Sequence, residues 1–220
     1  MVSASSALSV ETYEGQFGTF VITDDDRREV IIYRCGLAVA AFSFALGVSL
    51  MSLGNGSTSL LWAISACYLV MWLGLGVSLW FIHIYLRPLH QALQVFWLIG
   101  GIASVGIVMT IPGPLALSVY ERPLSMLGVG FTFAALTGIY FKEAFCFNRL
   151  ETKLLVPLVP SLLLTHMVEA MPNHIGRGLL VTWAILFVIF ALRKLVQPIP
   201  PDIGDKSVFD YLKQQRQASA

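Results

Sequence analysis

Over 220 residues the chain is 56% hydrophobic and only 12% charged, proportions that exclude an ordinary soluble globule and indicate a membrane domain with short tails. Its net charge of +1 speaks against nucleic acid as a partner, because the basic residues sit beside apolar runs and among Asp and Glu. Cys35, Cys67 and Cys146 are scattered, with no CxxC and no His nearby in sequence, so neither a zinc site nor a disulfide framework is indicated.

The first segment, residues 1–34, is acidic and polar rather than basic then apolar, unlike a secretory signal peptide. Within it Tyr13–Ile22 mixes aromatic and β-branched residues with two glycines and predicts a short extended segment or hairpin. Thr23 followed by Asp26 has the form of a capping box, and Asp24, Asp25 and Asp26 suit the positive end of a helix, so the first helix is predicted to begin near Asp24.

Residues 35–192 then hold six apolar runs, at 35–53, 60–86, 92–111, 124–141, 154–171 and 175–192. Each suffices for a bilayer core that needs about 17–25 helical residues. The fold class predicted is all-α, a polytopic bundle of six transmembrane helices in the lipid bilayer. The Gly54–Ser59 loop is short enough to force an antiparallel hairpin. Arg87-Pro88 ends the second run and starts the third helix. Leu115–Val119, in a proline-bounded loop, is predicted to lie along the interface, and Pro157 and Pro160 to delay or kink the fifth span. Gly130, Ala134 and Gly138, and Gly100 with Ser104, are small residues at four-residue spacing and predict buried helix faces. Phe42–Leu46 is echoed by Phe131–Leu136, the spacing of a three-plus-three inverted repeat. The tail, 193–220, opens with a Pro-rich stretch, Gln197–Pro201, predicted extended and exposed, followed by a short helix from Ser207 capped by Ser207 and Asp210.

With six spans, 12 of the 14 Lys and Arg residues fall on one side, leaving Arg122 and Arg177 opposite. The positive-inside rule then puts both termini in the cytoplasm or its organellar equivalent.

Polar groups near the bilayer are the candidates for chemistry, because burying them is costly. One cluster is His83, Arg87 and His90, at i, i+4 and i+7 but interrupted by Pro88; headgroup contact is its simplest role. A second is His166 and Glu169, i, i+3 neighbours on a predicted helical face, with Glu169 expected to pair with Arg177 or Arg122. The third is Lys142, Glu143, Arg149 and Lys153. If the fourth span continues as a helix past Phe141, its three basic residues form one stripe, a candidate surface for a partner protein or an anionic headgroup, while Glu143 turns inward. Neither GxSxG nor HExxH is present, and His83 and His166 stand at different depths, which disfavours a bis-His haem. No catalytic residue, metal ligand or cofactor is assigned.

The segments Tyr13–Leu37 (YEGQFGTFVITDDDRREVIIYRCGL), His83–Gly100 (HIYLRPLHQALQVFWLIG) and Gly128–Lys153 (GVGFTFAALTGIYFKEAFCFNRLETK) resemble a cyanobacterial and plastid family of integral membrane proteins, domain of unknown function 2301. The resemblance implies an oxygenic phototroph and a thylakoid or plasma membrane, and transfers no catalytic or binding residues. The reading that follows is a non-enzymatic interaction or assembly factor, its partner a membrane protein complex. A small-solute transporter or channel, with a polar pore and Gly-broken half-helices, is the alternative, and a membrane metalloenzyme built on His83, His90 or His166 ranks third.

Overall fold

The computed structural model describes residues 11–84 and 86–218. Residues 1–10 of the N-terminal segment and the last two of the tail lie outside the described residues. Among the described residues six helices are long: α1 (Asp24–Leu53), α2 (Thr58–Phe81), α3 (Arg87–Thr110), α5 (Met126–Phe147), α6 (Leu150–Met167) and α7 (Asn173–Val196), with a short α4 (Leu115–Glu121) between α3 and α5. By length and composition, five of the helices can cross a membrane; α6 falls outside that group. It has 18 residues, about 27 Å at 1.5 Å per residue, with Glu151 and Lys153 at its start. Pro157 and Pro160 stand inside this helix. Of the two predicted effects, delay or kink, the delay does not occur, since α6 begins at Leu150 ahead of both prolines, although each removes one backbone N–H from the ladder.

The chain divides into two units, residues 32–197 and the segments on either side of them. In the larger unit α5 is central, packed against α3 and α6, and α6 packs in turn on α7. The fully buried core includes Leu75, Leu136, Ile139, Tyr140, Phe187 and Phe190, and Trp183 Nε1 donates to the Tyr140 hydroxyl at 3.2 Å. Two close approaches set the helix spacing. A Cβ on Gly36 would lie 2.7 Å from the carbonyl oxygen of Gly74, and one on Gly74 2.8 Å from that of Gly36, so α1 and α2 cross backbone to backbone. Between α2 and α3, Trp72 and Trp97 stack at 4.3 Å, each donating its indole N–H to the other's carbonyl at 3.1 and 2.8 Å. Gly76 and Gly101 make room for the two rings.

Gly100 and Ser104 are buried as predicted, Gly100 against Thr132. The Gly130–Ala134–Gly138 face is not: Ala134 is exposed and both glycines are half-buried. The buried face of α5 is instead the larger-residue one, including Val129, Thr132, Leu136 and Tyr140. Leu115–Val119 packs into the bundle, with Leu115 and Ser118 buried and the Ala116 N–H donating to Ser65 Oγ at 3.0 Å.

In the smaller unit β1 (Thr12–Gly15) pairs antiparallel with β2 (Gly18–Val21) around Gln16-Phe17. The capping box forms: Thr23 N donates to Asp26 Oδ2 at 2.8 Å and Asp26 N to Thr23 Oγ1 at 3.2 Å. Ile22, Val30 and Ile203 make a small core, with Tyr13, Phe20 and Ile199 against it. The tail departs from the prediction, because Pro200–Ile203 forms a one-turn helix, α8, that buries Asp202 and Ile203. The last helix, α9 (Ser207–Ala218), takes its first bonds from Asp205 rather than from Ser207: the Ser207 amide and hydroxyl both donate to Asp205 Oδ1, at 2.9 and 2.6 Å. The Asp210 side chain lies outside the described ones. Gln16 N also donates to Asp205 Oδ2 at 2.6 Å. Hydrogen bonds from the Ser207 side chain and then the Gln16 amide hold the Asp205 carboxyl below its ordinary value.

Candidate functional site

Of the charged residues predicted around the α5–α6 connection, Lys142 and Glu143 pair, Arg149 shares the Phe147 ring with Lys142, and Lys153 stands apart, exposed on α6. α5 continues past Phe141 but stops at Phe147, where Asn148 adopts the left-handed conformation (φ 52°, ψ 36°) and closes the helix. Arg149 is extended at the N-cap of α6, and Lys153 lies within α6. Lys142, Arg149 and Lys153 therefore occupy three different pieces of backbone, and the single helical line assumed for them does not exist.

What forms instead is a buried cluster around Glu143, whose side chain is 0% exposed. Lys194 Nζ of α7 donates to its Oε2 at 2.6 Å, Lys142 Nζ to its Oε1 at 2.8 Å, and the Tyr33 hydroxyl of α1 reaches Oε1 at 3.3 Å. Lys194 is itself fully buried and lies 4.1 Å from the centroid of the Phe147 ring. Two ammonium groups and a phenol thus close one carboxylate and tie α1, α5 and α7 together. Gln197, at the end of α7, extends the cluster: Arg149 Nη2 donates to its side-chain oxygen and Arg34 Nη1 to its carbonyl. Arg193 Nη1 donates to Glu151 Oε2 of α6 at 2.9 Å. The sequence marked Glu143 as turning inward but gave no sign of Lys194, Tyr33 or Gln197, which come from separate helices.

The other two predicted clusters do not form as drawn. α2 ends at Phe81 and α3 starts at Arg87, so His83 lies between helices while Arg87 and His90 open the next one. His90 Nε2 is 2.6 Å from the Leu79 carbonyl oxygen and 3.3 Å from Gln94 Nε2, an inter-helix tie. At the opposite end α6 stops at Met167, and Glu169 takes φ 52° beyond it. His166 and Glu169 are therefore not neighbours on one helical face, and among the described residues Glu169 has neither the ion pair with Arg177 nor the one with Arg122.

His166 belongs to a different feature, a cavity of about 510 Å³ among α1, α2, α4, α5, α6 and α7. Its deep wall includes Met71, Phe133 and Trp183, its sides Val48, Leu162 and Leu180, and its polar rim His166, Asn173 and Arg177. The Tyr68 hydroxyl on its wall bonds to Ser104 Oγ at 2.8 Å and Thr132 Oγ1 at 3.0 Å. No residue spacing announced this cavity, which exists only where six elements fail to meet.

A family model described as an uncharacterized integral membrane protein (DUF2301) matches residues 77–211, from the end of α2 into α9. No curated protein and no solved structure matches the chain.

Proposed function

Since the chain belongs to the DUF2301 family of integral membrane proteins, we propose that it acts without catalysis, as an interaction or assembly factor in a photosynthetic membrane, thylakoid or plasma, with both termini cytoplasmic. The observation that carries this reading is the outer face of α3. That helix uses one side, Leu93, Gly100, Gly101 and Ser104, against its own bundle. Its opposite side exposes Val95, Leu98, Ile99, Ile102, Val105, Val108 and Met109, a continuous apolar face along the whole helix. A partner's transmembrane helix, packed by van der Waals contact, is its occupant in this reading. The charged cluster supports the same view, because Glu143 is saturated by Lys142, Lys194 and Tyr33 and serves to hold helices together.

A photo-crosslinking residue placed at Ile102 in native membranes tests the reading. The expected result is one discrete protein adduct that copurifies stoichiometrically and is absent when the probe is moved to Ile185, an exposed position on α7. Lipid adducts alone at both positions would contradict it.

A further inference from the structure

The cavity has a chemistry of its own, independent of any partner on α3. At about 510 Å³ it lies within the roughly 300–1,000 Å³ of ligand pockets. Its walls are overwhelmingly apolar, and four of the chain's seven methionines, Met51, Met71, Met126 and Met171, line it. Methionine is unbranched and adaptable, so such walls suit a flexible chain better than a rigid polar solute. Two of the wall's hydroxyls are already engaged, the Tyr68 hydroxyl by Ser104 and Thr132, and Ser65 Oγ by the Ala116 amide and the Leu61 carbonyl.

The rim is different. His166 from the end of α6, and Asn173 and Arg177 from the first turns of α7, gather at one end of the lining. The lining contains a guanidinium and an imidazole but no carboxylate, and among the described residues Arg177 is in no ion pair. The positive end of the α7 backbone adds to the same field. Arg177 stands 17 residues before Lys194 on α7, about 25 Å along the axis, which sets this rim at the far end of the bundle from the Glu143 cluster. Trp183 is six residues inward from Arg177, about 9 Å. The cavity therefore runs from a cationic rim toward the middle of the bundle, where its lining is predominantly apolar.

We propose that this cavity is a binding site for a single-chain amphiphile with an anionic head, the chain lying among Met71, Phe133 and Trp183 and the head held by Arg177, with His166 and Asn173 as further donors. A carboxylate and a phosphate monoester share the required chemistry, so both a fatty acid and a single-chain lipid phosphate qualify.

Binding of radiolabelled palmitate and of lysophosphatidic acid to the intact protein, in nanodiscs of neutral phosphatidylcholine, tests the site. Saturable one-site binding of at least one probe is expected, and the tighter of the two identifies the head. Ala116→Trp, which fills the cavity from α4, should abolish it, and Leu180→Phe should weaken it from α7 should the first variant misfold. Arg177→Gln should weaken the acidic probe about tenfold, as for loss of one charge-assisted hydrogen bond, and leave hexadecanol binding unchanged. Absence of saturable binding by either probe would overturn the proposal. So would binding indifferent to a folded cavity-filling variant, or an equal loss of palmitate and hexadecanol in Arg177→Gln.

Discussion

Replacing Glu143 by Leu is expected to destabilise the bundle by about 3–5 kcal/mol, the range for removing one partner from a buried ion pair. The change would leave the fully buried Lys194 ammonium without its carboxylate, held only by neighbours such as the Phe147 ring. Lys142 is less trapped, because its side chain retains 10% exposure and its long stem lets the charge reach toward water. The order of effects follows: Lys194→Met should cost less than Glu143→Leu, since Glu143 would keep Lys142 and Tyr33. The double variant Glu143→Leu with Lys194→Met should recover much of the loss, as a well-filled apolar pair often matches a buried ionic one. Unfolding of the purified protein in mixed micelles, read by tryptophan fluorescence, gives all three values. Strictly additive effects, each below about 1 kcal/mol as for exposed pairs, would mean that Glu143 and Lys194 do not act as a unit.

The second large effect is expected at the α1–α2 crossing. Gly74→Val should cost about 3 kcal/mol, at the upper end for over-packing a core. The obstacle is backbone: a Cβ there would meet the Gly36 carbonyl at 2.8 Å and the Ala40 amide nitrogen at 2.9 Å, and neither can swing aside like a side chain. Separating the helices would also break the bond from Ser78 Oγ to the Tyr33 carbonyl, 3.0 Å in the wild type. Gly178→Ala on α7, where a Cβ meets nothing within 4 Å, should stay within about 0.5 kcal/mol. A Gly74→Val protein as stable as this control would show that α1 and α2 do not depend on the close approach.

The sequence made some of these features plain and hid others for definite reasons. Local signals were legible: the Thr23–Asp26 box, the Tyr13–Ile22 hairpin and the Arg87-Pro88 helix start each depend on atoms a few residues apart. Features that depend on which helices touch were not. Gly36 and Ala40 in α1, and Gly74 and Ser78 in α2, are also small residues at four-residue spacing, yet so are Gly130, Ala134 and Gly138, whose middle member is exposed. Spacing marks a helix that can approach closely without saying which helix it approaches.

The polar clusters failed where helix ends were misplaced. The stripe of Lys142, Arg149 and Lys153 needed a helix through Asn148, and the His166–Glu169 pair needed one through Val168. In the first case a signal was available, since Asn is one of the few residues that readily takes the left-handed conformation at a helix end. In the second there was little, because Glu169 at φ 52° is an uncommon choice there. The prolines after Gln197 predict an exposed stretch, but α7 runs to Val196 and brings Gln197 to Arg34 and Arg149.

The number of crossings rests on α6, the shortest of the six, with Pro157 and Pro160 inside it and Glu151 in its first turn. Reporter fusions after Gly56, Asn148, Asn173 and the C-terminus test it most directly. With six crossings and a basic cytoplasmic end, Asn148 and the C-terminus report the cytoplasm while Gly56 and Asn173 report the opposite compartment. Asn148 and Asn173 reporting the same side would contradict the account, because α6 would then not cross.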